Sequence, residues 1–431
     1  MMLVSALARG WPAAALSGLA LLAAGCGAAS STHQAAGAAS PAARPASATP
    51  ASGERAPASA SPAPSASCPA GTAGTPASVY TAPGSPATVQ PMDAVQFVSA
   101  RQGWVAGAGR VLATGDGGST WTTQYTGSAK LYQVDFTDAE HGWAVGTNAL
   151  LRTTDGGVTW TALAEPQCQD IESVHFVTPD LGYAVAGGAA VWLSGGVPAA
   201  VGGGQLLRTT DGGSHWVRVA GAPAQAQTAC FSGAADGFVG TPGKVWHTAD
   251  GGVSWSLAFT EPPESSGVHP PAPDTTVLEC AGGNAAWVLF LGYGAALGHA
   301  PYMAYATQDA RNWRVLFEES YIESAARPGV HAPDGPGSYP GPFSAISPGA
   351  AAFVGYTPPL GYGAAPLEMA ASGGATLTKE GNVGGVSVPE ATAFISPSQG
   401  WVVGETLPSG DFVIEATADA GHTWTRQYQA R

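Results

Sequence analysis

Arg152-Thr153-Thr154-Asp155-Gly156-Gly157-Val158-Thr159-Trp160 is the stretch whose reading decides the fold. An Asp followed by two glycines is tight-turn chemistry. The carboxylate accepts hydrogen bonds from backbone N–H groups of its own turn, and glycine takes the positive φ angles that a side chain resists. Trp160, five residues after Asp155, starts the next strand. The same stretch recurs with Asp116 and Trp121, with Asp211 and Trp216, with Asp250 and Trp255, and with Asp419 and Trp424. Asp309 and Trp313 belong to a copy one residue short, and Ala371-Ser372-Gly373-Gly374-Ala375-Thr376-Leu377 is a decayed copy without its Asp and Trp.

A second element precedes each turn: Gly103-Trp104, Gly142-Trp143, Gly182-Tyr183, Gly237-Phe238, Ala286-Trp287, Ala352-Phe353 and Gly400-Trp401. Seven residues before each aromatic stands Phe97, Phe136, Phe176, Phe231, Cys280, Ile346 or Phe394. This register defines a unit of four short strands. Strand A carries the apolar residue and B the Gly-aromatic pair; C runs into the aspartate turn and D leaves from the Trp. Residues 91–431 shared among seven units give about 49 residues each, the size of a four-stranded propeller blade. A blade cannot cover both its faces, so blades must stack into a ring. The fold expected is all-β, a seven-bladed β-propeller of four-stranded antiparallel blades at 91–431. An eighth unit is not expected in the preceding segment, where Val79-Tyr80 offers at most a closing strand.

The turn resembles the Asp-box, or BNR repeat, of sialidases, sortilin-type receptors, some glycoside hydrolases and photosystem II stability/assembly factors. The resemblance covers residues 94–428, and Arg152–Gly157 and Arg208–Gly213 are most similar to the last group. It implies a propeller and, through the assembly factors, a non-enzymatic scaffold for another protein. A sialidase would need three converging arginines with a Tyr–Glu pair, and the Arg-Ile-Pro element of that family is missing from the first unit. Because the scaffold carries unrelated activities, function must be argued from a site.

In a blade running A, B, C, D, the A–B and C–D turns share one face. B–C loops and D-to-A connections share the other, and they hold nearly all the length variation, as binding surfaces do. Those loops carry Trp192, Tyr293, Tyr302, Tyr321, Tyr339, Tyr356 and Tyr362 with Glu318, Glu319, Glu323, His299 and His331. Aromatic planes beside carboxylates suit a protein segment or a glycan. Glu318, Glu319 and Glu323 are expected in one irregular loop, which does not fix the paired carboxylates that glycoside cleavage requires. The turn aspartates and Arg152 and Arg208 read as structural. Asp-Gly-Gly supplies one side chain where calcium needs several oxygens, so no metal, cofactor or catalytic group is expected.

Charged residues make up 11% of the 431, and 60 Gly with 35 Pro fit many turns. A net charge of −14 repels phosphate backbones and argues against nucleic-acid binding. Residues 1–25 read as a lipoprotein signal peptide, with an apolar run from Trp11 to Ala24. Leu22-Ala23-Ala24-Gly25-Cys26 resembles a bacterial lipobox, with Cys26 the lipidated residue. Residues 26–90, rich in Ala, Pro and Ser, have little to bury and read as a disordered tether. The chain is thus expected on the outer side of a bacterial cytoplasmic membrane, holding a monomeric head that binds a protein partner. Carbohydrate binding or cleavage is the alternative. After processing, Cys68, Cys168, Cys230 and Cys280 allow three pairings. Opposite parity on consecutive inner strands favours Cys230–Cys280 and leaves Cys68 with Cys168, against the alternative of free buried thiols.

Overall fold

The computed structural model describes residues 92–164, 170–192, 198–201, 204–262, 275–292, 300–319, 332–357 and 365–430, with the backbone alone for 92–93, 189–192 and 198–201. Cys26, Cys68, Cys168, the tether and Val79-Tyr80 lie outside these residues. Seven four-stranded antiparallel sheets form the blades of a ring, at 92–126, 131–163, 171–218, 228–260, 275–319, 343–382 and 388–430, and no helix occurs among the described residues. Each sheet runs in chain order except that blade 3 carries an inserted hairpin, Ala189–Trp192 with Pro198–Val201. Among the described residues no strand is shared between blades 7 and 1.

Burial grades outward through each blade. The B strands Gly103–Gly107 and Gly142–Gly146 are buried at every residue, because a neighbouring blade covers each face. The outermost strands, such as Thr122–Thr126, are half-exposed and polar, which blunts an edge that would otherwise recruit another strand.

The glycine of each Gly-aromatic pair has a steric cause. It pairs with the A-strand Phe, whose ring lies across it; a Cβ at Gly103, Gly142, Gly182, Gly237 or Gly400 would sit 2.2–2.5 Å from that ring. Where the Phe is lost the Gly is lost too: Ala286 pairs with Cys280, and Ala351 with Ala345. The covered Phe then stacks on the B-strand aromatic of the preceding blade. Ring centroids are 3.5 Å apart for Trp104–Phe136, 3.4 Å for Trp143–Phe176 and Tyr183–Phe231, and 3.5 Å for Trp401–Phe97. The Trp after the aspartate turn meets the same Phe edge-on, 6.0 Å away in Phe136–Trp160. Seven buried apolar clusters follow, one between each pair of neighbouring blades.

Blade 6 corrects the register expected from sequence. Ile346 falls at a bulge between Ala345 and Ser347, so the pairs are Ala345 with Ala351, Ser344 with Ala352 and Phe343 with Phe353. The slip of one residue turns Phe353 to the other face of the sheet. It packs back against Phe317 of blade 5, centroids 5.0 Å apart, and against Phe343, 5.2 Å.

Candidate functional site

Strand alternation gives the ring two unlike faces. On the turn face the A–B and C–D connections run from two residues (283–284) to seven (115–121). On the loop face they run from two (108–109) to 23 (320–342).

The aspartates of the turn face are satisfied from within their own turns. In the turn of Asp155, Thr159 donates its backbone N–H to Oδ1 at 2.8 Å and its hydroxyl to Oδ2 at 2.6 Å, while the Thr153 hydroxyl donates to Oδ1 at 2.8 Å. Gly156 and Gly157 hold φ of 70° and 89°. Asp116, Asp211, Asp250 and Asp419 repeat the arrangement, and Asp309 is held by Asn312 through its backbone and side-chain N–H groups, 2.7 Å each. These donors favour the charged carboxylate. They hold Asp250 down to about 2, chiefly through the Ser254 hydroxyl, and Asp419 to about 2 through that of Thr423. Arg152 reaches the carbonyls of Asp211 and Pro179 in the next blade, at 3.5 and 3.4 Å, and lies 5.7 Å from the Trp143 ring centroid.

On the loop face the structure redistributes the residues singled out from sequence. Tyr302 is not displayed. It opens a C strand, Tyr302–Thr307, is 2% exposed, and donates its hydroxyl to the Gly337 carbonyl at 2.6 Å. Burial, then the nearby carboxylates of Glu319, Glu368 and Asp334, push its pKa well up. Glu318 and Glu319 do not lie in an irregular loop. They are the last residues of the D strand Trp313–Glu319, paired with Met303 and Tyr302, and are 8% exposed. The apolar pair Leu316-Phe317 carries the strand that far before the chain turns away. Tyr339 and Tyr356 do come together, linked by N–H to carbonyl bonds of 2.9 and 3.1 Å, with ring centroids 5.9 Å apart and both side chains half-buried. Trp192 ends the first strand of the inserted hairpin. Tyr293, His299, Tyr321, Glu323, His331 and Tyr362 lie outside the described residues.

Two cavities were not anticipated from sequence. One, of about 540 Å³ on the loop face between blades 6 and 7, is lined by Ser387, Thr406, Arg426 and Gln429 among others. Arg426 is anchored there by Glu415 Oε1 at 2.8 Å and the Gly385 carbonyl at 3.1 Å. The other is the central channel, about 440 Å³, whose wall includes Asp135, Glu172, His175 and Glu279. Several wall residues reach the next blade. Gln96 accepts from the Phe136 N–H at 2.6 Å, Asp135 from Phe176 at 2.5 Å, Glu279 from Ala345 at 2.6 Å and Ser344 from Phe394 at 3.0 Å; His175 Nε2 lies 2.8 Å from the Phe231 carbonyl. Between blades 4 and 5 the same step is covalent, for Cys230 and Cys280 form a disulfide with Cα atoms 5.5 Å apart. Burial pushes Glu279 up to about 7 against the lowering by the Ala345 N–H, and pushes Asp135 up despite nearby His175. The sequence signal for this belt was the residue just before each register position. Among the described residues no group of three or more His, Cys, Asp or Glu is placed to hold a metal.

A ring of aspartate-cornered blades with these contacts defines the class, BNR-type β-propellers. Residues 124–224, from the outer strand of blade 1 through blade 3, match the family model described as photosynthesis system II assembly factor YCF48. Among solved structures, YCF48 bound to a D1 peptide matches at 18% identity and a TM-score of 0.47, over 73% of this chain and 91% of that one. The GH74 enzyme of Niastella koreensis matches at 12% and 0.50, over 78% of this chain and 66% of its own. The GH74 xyloglucanase of Xanthomonas campestris matches at 13% and 0.50, over 78% and 54%. The chain thus spans about two-thirds and about half of these two enzymes, and the likenesses establish the fold. No curated protein matches the chain.

Proposed function

We propose that the protein is a non-enzymatic binding scaffold of the assembly-factor kind. It is exported and tethered by lipid on Cys26 to the outer side of a bacterial cytoplasmic membrane, and its loop face grips a protein partner. The observation that carries this reading is the unequal division of the two faces. Turns on one side are held to a narrow length and consume their own polar groups, whereas connections on the other diverge, as recognition loops on a rigid scaffold do. The family match across blades 2 and 3 supports the assembly-factor form of it. Tyr339 and Tyr356 supply a half-exposed aromatic pair of the kind that anchors interfaces.

The test is crosslinking and recovery of partners from intact cells with the full-length chain. Y339A/Y356A is expected to lose a partner that the turn-face variant V158R keeps. The reverse pattern overturns the face assignment. C26S is expected to release the protein from the membrane fraction. The second reading is a glycan ligand on the same face, where two carboxylates from different blades, Glu319 and Glu368, lie near Tyr302. Turnover of chromogenic glycosides, abolished by E319Q, would replace the scaffold reading with that one.

A further inference from the structure

The channel belt is complete at six seams and broken at one. At each of the six, an inner-strand residue reaches the register residue of the next blade: Gln96 to Phe136, Asp135 to Phe176, His175 to Phe231, Cys230 to Cys280, Glu279 to Ala345 and Ser344 to Phe394. The seventh residue of the series is Ala393, which pairs with Trp401 and faces Phe97 of blade 1 with a methyl group. It has no polar atom to offer the Phe97 N–H, the equivalent of the amides that Gln96, Asp135 and Ser344 capture elsewhere.

The outer contacts of this seam differ as well. At the seams between blades 1 and 4 the B-strand aromatic donates directly to a glycine carbonyl in the next blade's aspartate turn: Trp104 to Gly156 at 3.2 Å, Trp143 to Gly212 at 3.0 Å and Tyr183 to Gly251 at 3.3 Å. Between blades 7 and 1 a glutamine intervenes. Trp401 donates to Gln427 Oε1 at 3.1 Å, and Gln427 Nε2 donates to the Gly117 carbonyl at 2.8 Å. The chain itself runs across the other six seams, and among the described residues no exchanged strand joins blades 7 and 1. What remains is apolar packing around Phe97 and Trp401 and the relay through Gln427. The disulfide staples the far side of the ring, three seams away.

We propose that the ring is a clamp that opens and recloses between blade 7 and blade 1, with the Cys230–Cys280 seam as its fixed side. The missing latch is local, and it assigns the opening to this seam. It also has a direction. Val95, Phe97, Ala393 and Ile395 line the channel on this side with Gln96 and Thr392, whose polar groups are engaged by Phe136 and Trp401, while Asp135, His175 and Glu279 stand on other blades. Opening widens the channel along its apolar wall. This inference stands apart from the scaffold reading, since it concerns the ring whatever the loop face binds.

Hydrogen exchange on the full-length protein tests it. In the wild type, amides of 95–97 and 393–395 are expected to exchange about five- to tenfold faster than those of 134–136 and 174–176, the factor that one hydrogen bond contributes. A393S, which copies Ser344, is expected to slow exchange at 95–97 by a similar factor and leave 134–136 unchanged. S344A is expected to create a second fast site at 394. Equal protection of all seams in the wild type overturns the proposal. So does an A393S variant that folds, by circular dichroism, and leaves exchange at 95–97 unaltered. Should A393S fail to fold, the wild-type ranking and S344A decide the matter by themselves.

Discussion

Blades 1–4 and blades 5–6 build the same sheet by different means. In the first group a Phe lies over a Gly, stacks on the aromatic behind it and meets the Trp of a full aspartate turn. In the second the Phe, the Gly and much of the turn are gone, and a larger core takes over, with Trp287, Tyr302, Phe317, Phe343 and Phe353 buried together. Blade 5 also has longer strands, eight residues in Thr275–Gly282 and seven in Ala285–Leu291 and Trp313–Glu319. The propeller therefore needs covered blade faces, not a particular motif; the motif is one economical way of covering them.

The sharpest way to break this comparison is to remove the Phe. F136A forfeits the stack on Trp104 and the contact with Trp160, and is expected to destabilise by about 3–5 kcal/mol in chemical unfolding. G142A should also be costly, because its Cβ would lie 2.3 Å from the Phe136 ring. F136C/G142A, which copies Cys280 and Ala286 of blade 5, is expected to recover part of the G142A loss. If G142A alone is harmless, the Phe-over-Gly account fails.

Next in size is the pH response, which has opposite signs in the channel wall and in the aspartate turns. Glu279 is raised from 4.5 to about 7, so the folded state holds its proton more tightly than the unfolded chain. Its contribution is fully present below about pH 4.5 and is lost as the pH rises through 7. We expect about 2 kcal/mol, discounting the full shift because Glu279 is partly exposed in the channel wall. E279Q keeps an acceptor for the Ala345 N–H and should flatten this slope in melts between pH 4 and 8. The turn aspartates act oppositely. Their depressed values add stability above the ordinary carboxylate range that disappears as the pH falls through about 2.

A smaller effect is expected from D155A, a measurable fall in Tm from three lost hydrogen bonds, with S372D in blade 6 giving no comparable gain because Ala370 stands where Thr153 donates in blade 2 and Ser372 already holds a positive φ of 54°. Smallest is A420G. Ala420 holds φ of 63° where Gly156 holds 70° in blade 2, and relieving it should raise stability by about 0.5–1 kcal/mol.

Most of the architecture was legible because it repeats. Asp-Gly-Gly turns mark strand ends, and one turn every few dozen residues sets the blade count. The facing of Cys230 and Cys280 followed from parity on adjacent inner strands. Blade 6 was misread by one residue, since a bulge leaves no mark when the turn has lost its Asp and the register residue its Phe. Tyr302, Glu318 and Glu319 were placed in loops because polar and aromatic letters beyond the repeat resemble insertions. Only backbone pairing with one another shows that the strands run on. The channel belt was hidden for another reason. Gln, Asp, His, Cys, Glu and Ser share no side-chain type, only a position and a task.

Every blade is cut from one unbroken stretch of chain, so no sheet depends on where translation starts. Joining the ends through a short linker and reopening the chain at any connection between blades would leave all seven sheets whole. For the seven sheets the circle carries the information, and the place where it is cut does not.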